Sequence, residues 1–225
     1  DLSSFGKLRV EGRDACRLLQ RLCANDVDVA PGRLVYTQML NERGGIECDF
    51  TVTRLGEERF RIVTGTAFGR HDLSWIVQHA PADGSVHVAD VTSQYACLGV
   101  WGPRARDVLQ PLTRSSLADA DFPYMTAQEL SIGVVPCLAV RVTYVGELGW
   151  ELYCPSEFGL RLWDTIWEGG LPHGLAPAGY KAIDSLRLEK GYRVWGADIS
   201  PEDTPFDVGL AFAVKLDKGP FVGRE

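Results

Sequence analysis

Three segments of this sequence hold residues whose types and spacing could do chemistry. The first is Ile46-Glu47-Cys48-Asp49-Phe50-Thr51-Val52-Thr53. Its alternation sends Ile46, Cys48, Phe50 and Val52 to one side of an extended chain, and Glu47, Asp49, Thr51 and Thr53 to the other. Aspartate is a poor strand residue, so Asp49 in mid-strand asks for a reason. Two stay open at this point: a solvated outer face, or a polar cavity whose carboxylate binds an amine or handles a proton. The second segment is Tyr144-Val145-Gly146-Glu147-Leu148-Gly149-Trp150-Glu151. A tight turn over Val145 to Gly149 would bring Tyr144 and Glu151 near each other. An aromatic face beside a carboxylate suits a flat heterocycle with paired N–H donors, although a plain hairpin with a surface glutamate has the same pattern. The third runs from Ala178 to Arg193, where Arg187 and Glu189 sit among apolar residues. An internal ion pair or a capped helix end explains them as well as a ligand does.

Other chemistries find no support. No Ser-His-Asp arrangement stands out, and the histidines at 71, 79, 87 and 173 show no metal-ligand spacing. Gly-rich dinucleotide and P-loop signatures are missing, so redox chemistry would need another domain. The formal charge of −7 disfavours nucleic acid as a partner. No apolar run reaches the roughly 18 residues of a membrane span. Six cysteines with no CxxC pair lie mostly in apolar surroundings, which reads as reduced core thiols of a cytoplasmic-type protein. The chain starts with Asp1 and without a basic, apolar leader, as a fragment or a processed chain would.

The elements that must position these residues follow from periodicity. Ala15, Leu18, Leu19 and Leu22 form an amphipathic helical stripe after Gly12, ending at Asn25-Asp26. Strands are expected at Leu34–Leu40, Ile46–Arg54 and Arg59–Thr64, with Asn41 to Gly45 as a hairpin turn, then a helix over Gly69–His79. Later strands are expected at Leu138–Tyr144 and Trp150–Cys154, a helix capped by Ser156 and running to Trp167, and one from Pro177 to Lys190. Val10 to Leu22 also lies on Val100 to Leu112 without a gap, with six of thirteen residues identical. This predicts a duplicated strand-Gly-helix unit, with halves near 1–90 and 91–225. Helices alternating with meandering strands, without regular βαβ spacing, favour an α+β fold with antiparallel sheets.

In their order along the chain, these motifs resemble the glycine-cleavage T-protein (aminomethyltransferase) superfamily. The resemblance rests on Asn41-Glu42-Arg43-Gly44-Gly45-Ile46-Glu47-Cys48-Asp49, on Tyr144 to Glu151, and on Asp184-Ser185-Leu186-Arg187-Leu188-Glu189-Lys190-Gly191. Asp203-Thr204-Pro205-Phe206-Asp207-Val208-Gly209-Leu210 and Lys218 to Glu225 extend it over nearly the whole chain. It implies two interleaved ferredoxin-like α+β halves, and a C-terminal β-barrel that would begin where this chain stops. It also implies tetrahydrofolate as the ligand, Asp49 as the catalytic residue, and Tyr36, Thr51, Tyr144, Glu151 and Arg187 as the folate-binding set. Ile183 stands where aminomethyltransferases have a folate-contacting arginine. Lys190 followed by Gly191-Tyr192-Arg193-Val194-Trp195-Gly196 resembles the C-terminal half of dimethylglycine and sarcosine dehydrogenases. Lys218-Gly219-Pro220-Phe221 lacks the cysteine of the tRNA-modifying branch.

The resemblance thus implies the folate domain of an N-demethylating oxidoreductase. Its FAD would sit in a separate domain of a parent chain, and its compartment would be the cytoplasm or the mitochondrial matrix. The alternatives are an aminomethyltransferase working with a lipoyl carrier protein, a folate-dependent demethylase of another substrate such as a sulfonium, and a non-catalytic folate-binding module.

Overall fold

The computed structural model describes residues 1–225, which form two compact units. One joins residues 5–92 to 193–225 and holds Asp49; the other joins residues 1–4 to 93–192 and holds Glu151. Every strand pairing in both is antiparallel, so the fold is α+β with two antiparallel sheets.

The Asp49 unit runs β1 (Gly6–Glu11), α1 (Ala15–Leu22), β2 (Leu34–Leu40), β3 (Ile46–Gly56), β4 (Arg59–Thr64), α2 (Gly69–His79) and β5 (His87–Asp90). Its sheet has the order β2-β3-β4-β1-β5. The predicted stripe of α1 is buried throughout, and Ala15, Leu18, Leu19 and Leu22 pack with Cys48, Phe50 and Val52 of β3 and Ile76 of α2. That burial turns the other side of β3 away from the helices, so Asp49 and Thr51 stand on the opposite face. Helix α1 stops at Leu22 rather than at Asn25-Asp26, because Cys23 is already extended and bridges to Met39.

The residues after 192 return to this unit. Trp195 Nε1 donates to the Ile46 carbonyl at 2.8 Å, and Ile46 N donates to the Asp203 carbonyl at 2.9 Å. Lys218 Nζ donates to the carbonyls of Gln20 and Cys23, both at 2.6 Å, so a cation meets the orphan carbonyls at the end of α1. A small apolar cluster of Leu40, Ile46, Ile199, Leu210 and Phe221 seals the contact.

The Glu151 unit runs β6 (Tyr95–Trp101), α3 (Ala105–Leu109), β7 (Ala127–Ile132), β8 (Val135–Val140), β9 (Gly149–Pro155), α4 (Gly159–Gly170) and α5 (Tyr180–Glu189), with sheet order β6-β9-β8-β7. Trp150, Leu152 and Cys154 of β9 enter a core with Val108, Leu162 and Ile166, which sends Glu151 and Tyr153 to the other face. Ser156 does not cap α4. Its hydroxyl donates to the Ser93 carbonyl, and residues 156–158 form a separate 3-10 turn.

The two segments aligned by sequence share one local geometry. Gly12 (φ 128°) and Gly102 (φ 139°) turn the chain. Ala15 N donates to Gly12 O at 2.9 Å, and Ala105 N to Gly102 O at 3.0 Å. The aligned glutamines match as well: Gln20 Oε1 accepts from Val27 N, and Gln110 Oε1 from Leu117 N, each seven residues on. Alanine at either glycine is held at a positive φ, which costs roughly 1–3 kcal/mol. At position 12 the added Cβ would also lie 2.3 Å from the Ser85 carbonyl oxygen, whereas nothing lies within 4 Å at position 102. Gly12→Ala is therefore expected to lower the urea-unfolding midpoint more than Gly102→Ala; the reverse order would discount the clash.

Candidate functional site

In the Asp49 unit the site is built on the β2–β3 hairpin. Asn41 closes the turn, its Oδ1 accepting from Arg43 N and Gly45 N at 3.0 Å each. The ladder then slips at a bulge between Met39 and Leu40, so that Gln38 stands opposite Asp49 and Tyr36 opposite Thr51. Tyr36, Gln38, Asp49 and Thr51 therefore share one face. Gln38 Nε2 donates to Asp49 Oδ1 at 2.8 Å, and the Tyr36 hydroxyl donates to the same carboxylate across the diagonal. Phe212 stacks on the Tyr36 ring with centroids 6.1 Å apart.

Burial pushes the Asp49 carboxyl up to about 6, the bonds from Tyr36 and Gln38 hold it down, and the Asp72 charge adds to the rise. Near neutrality it is ionised but only about one pH unit from taking a proton, which suits a base. Half-buried and bonded to Gln38 and Tyr36, Asp49 does not stand on a plainly solvated face.

On the other side of β3, Cys48, His71 and Asp72 bring sulfur, nitrogen and oxygen atoms within 4.8 Å of one another. His71 Nδ1 is 3.0 Å from Asp72 Oδ1 and Nε2 is 3.0 Å from Glu47 Oε1, with Trp195 5.7 Å from its ring. Burial works against the imidazolium, but hydrogen bonds and charges of Asp72 and Glu47 outweigh it and raise His71. Burial, aided by Asp72, pushes the Cys48 thiol well up, which keeps it protonated. The cluster is an ion-pair network joining α2 to β3. Its histidine and aspartate open the α2 pattern and had no role in the sequence reading.

In the Glu151 unit, Glu151 Oε2 accepts from the Tyr153 hydroxyl at 2.5 Å. Tyr153 is an i+2 neighbour on the same strand face that sequence reasoning passed over. Burial first, then the neighbouring Cys97 and Glu151, raise its phenol well above the ordinary range, so it stays a donor. The expected tight turn is not present. Strand β8 ends at Val140, and residues 141–148 form an irregular loop. Thr143 Oγ1 accepts from Val145 N (3.1 Å) and Glu147 N (3.4 Å), and these local bonds displace the ladder. Tyr144 stacks on Tyr192 instead, with centroids 5.9 Å apart. Arg187 is buried, with Nε on Asp184 Oδ1 and Nη1 on the Tyr192 carbonyl, both at 3.0 Å. Its placement follows the internal ion pair that the sequence left open.

Two antiparallel α+β units, each with an acidic residue held by a tyrosine on the strand face away from its helices, make up a fold of the aminomethyltransferase type. The chain belongs to the family described as GCVT N-terminal domain, which matches residues 1–218. It is 37% identical over its whole length to human mitochondrial dimethylglycine dehydrogenase, covering 26% of that protein. It is 35% identical to an aminomethyltransferase of a Thermoanaerobacter species, covering 61% of it. The structure superposes over the whole chain on glycine cleavage system aminomethyltransferase T from Bartonella henselae, with a TM-score of 0.86 and 29% identity, covering 60% of that protein. The chain spans about a quarter of the dehydrogenase and about three fifths of the aminomethyltransferase. No helix is long and apolar enough to cross a membrane.

Asp49 holds its proton more tightly folded, at about 6, than at the ordinary value of 3.8. Between these values the folded chain keeps a proton that the unfolded chain has released, so stability falls as pH rises through that window. Asp49→Asn removes the ionisation. It is expected to unfold at higher urea than the wild type near neutral pH, by at most about 3 kcal/mol, and with no gain near pH ~4. An equal difference at both pH values would show that Asp49 titrates normally.

Proposed function

We propose that this chain is the tetrahydrofolate-binding domain of an N-demethylating oxidoreductase of the dimethylglycine or sarcosine type. It would capture the one-carbon unit of an iminium to give 5,10-methylenetetrahydrofolate. The observation that carries the reading is the carboxylate of Asp49, set among Tyr36 and Gln38 with its proton affinity raised towards neutrality. The residues fit a reduced pterin, which brings N–H donors: Gln38 Oε1 is buried without a hydrogen-bond partner. Tetrahydrofolate, when bound, supplies the nucleophilic amine that takes the one-carbon unit.

Asp49 accepts the proton released at that amine nitrogen, and the Tyr36 and Gln38 donors steady its carboxylate while it is ionised. Tyr36 on Phe212 and Tyr144 on Tyr192 offer aromatic surfaces. Glu151, oriented by Tyr153, takes the paired N–H groups of the heterocycle. Thr51 contributes a hydroxyl beside Tyr36. Arg187, set by Asp184 and the Tyr192 carbonyl, is a fixed cation suited to the ligand's carboxylate tail. Excluding water matters, because an iminium otherwise hydrolyses to formaldehyde. Holding two reactants in place supplies much of the rate. The likeness to long dehydrogenases supports a parent chain in which a flavin domain makes the iminium.

The test separates binding from transfer. Asp49→Asn is expected to bind tetrahydrofolate within about tenfold of the wild type while losing most methylene transfer. The wild-type rate should fall as pH drops through about 6. Glu151→Ala should weaken binding first. Anaerobic calorimetry and a transfer assay read the two, and equal transfer by the wild type and Asp49→Asn would overturn the assignment.

A further inference from the structure

Gln38 is fully buried on β2, where a long amide is an unusual choice. Its side chain points the same way as Asp49, because the two residues are directly paired. Nε2 donates to Asp49 Oδ1 at 2.8 Å. An ionised carboxylate only accepts, so this bond decides which way round the amide stands. Oε1 is thereby committed as an acceptor, and it is buried with no partner of its own. A buried carbonyl left in this way costs its full desolvation unless a donor reaches it.

We propose that Gln38 is the positioning and specificity residue of this site, holding Asp49 through Nε2 and offering Oε1 to an N–H donor of the bound ligand. The inference rests on the folate reading above for the ligand's identity. Two acceptors side by side, Asp49 and Gln38 Oε1, select a ring edge that carries N–H over one that carries a bare nitrogen. Tetrahydrofolate has N–H at N5, whereas oxidised folic acid has an unprotonated ring nitrogen there. The bare nitrogen would face two acceptors and leave Gln38 Oε1 without a donor. Gln38 thus lets the site read the oxidation state of the pterin without any redox group of its own.

The experiment compares the full chain with Gln38→Met, which keeps length and unbranched shape while removing both polar atoms. Each is titrated calorimetrically with tetrahydrofolate under anaerobic conditions and with folic acid. Carbon-13 NMR of carboxyl-labelled aspartate follows the Asp49 titration without any ligand. The wild type is expected to favour tetrahydrofolate, and Gln38→Met to lose about tenfold of that preference, the worth of one hydrogen bond. The Asp49 titration should move to higher pH in the variant, since a donor to the ionised form is gone. A purely structural role would lower stability and leave both readouts in place.

Gln38→Glu gives the same comparison if Gln38→Met fails to fold. Its two adjacent carboxyls would share a proton and move the Asp49 titration up further. A folded variant with unchanged preference and unchanged Asp49 titration overturns the inference and leaves the folate reading standing. A wild type that binds neither compound overturns the folate reading and the ligand half of the inference. The NMR titration then decides the positioning half alone.

Discussion

Asp49 lies on a strand hydrogen-bonded on both sides, to β2 and to β4, so the backbone around it is largely committed to ladders. Its carboxylate has to be solvated by side chains, and only neighbours on its own face of the hairpin can reach it. Gln38 does so from the directly opposed position and Tyr36 from the diagonal one. Much of the surrounding architecture follows from keeping that hairpin still. The packing of α1 and α2 against Cys48, Phe50 and Val52 decides which face Asp49 occupies. The His71 ion pairs tie α2 to Glu47 on the same strand. The proton transfer proposed for Asp49 would need this kind of support, because small errors in the position of a reacting group cost rate steeply.

The closing segment performs a second service for the same hairpin. Trp195 reaches the Ile46 carbonyl, Asp203 accepts from Ile46 N, and the Lys218 ammonium sits on carbonyls at the end of α1. Gly45 shows how close the fit is: a Cβ there would lie 1.9 Å from the Pro201 carbonyl oxygen. These contacts join residues about 150 or more positions apart, so the hairpin is braced by chain that follows the other unit in the sequence. The Lys218-Gly219-Pro220-Phe221 motif is thereby given a mechanical reason: its lysine satisfies a helix end, and Phe221 packs beside Leu40 and Ile46.

The two units repeat a local device while presenting different chemistry. Each turns from a strand into a short helix through a glycine at positive φ, and each uses a glutamine to satisfy a backbone N–H seven residues on. The polar faces differ. One unit holds a carboxylate whose proton affinity lies near neutrality; the other holds Glu151 against a phenol that stays protonated. A shared scaffold thus carries different side chains on its strands, a carboxylate bonded to an amide and a phenol in one unit and a carboxylate bonded to a phenol in the other.

Several features were legible in the sequence because they depend on local periodicity. Strands Leu34–Leu40 and Arg59–Thr64 and helix Gly69–His79 fall where the patterns put them. The alternation around Asp49 singled it out, and the order of the motifs marked the family. What the sequence could not determine turns on non-local register and on competition between local bonds. The bulge between Met39 and Leu40 decides that Gln38, rather than Thr37, stands opposite Asp49. A one-residue slip reverses every side chain on a strand, and the hydrophobic pattern of β2 alone does not reveal where the slip occurs. The loop over 141–148 replaced an expected turn because one threonine hydroxyl outcompeted the ladder. Residue identity thus determined which groups are available for chemistry, while the tertiary structure decided which of them touch. Contact depends on pairing partners far away in the chain, and local propensity carries no information about those.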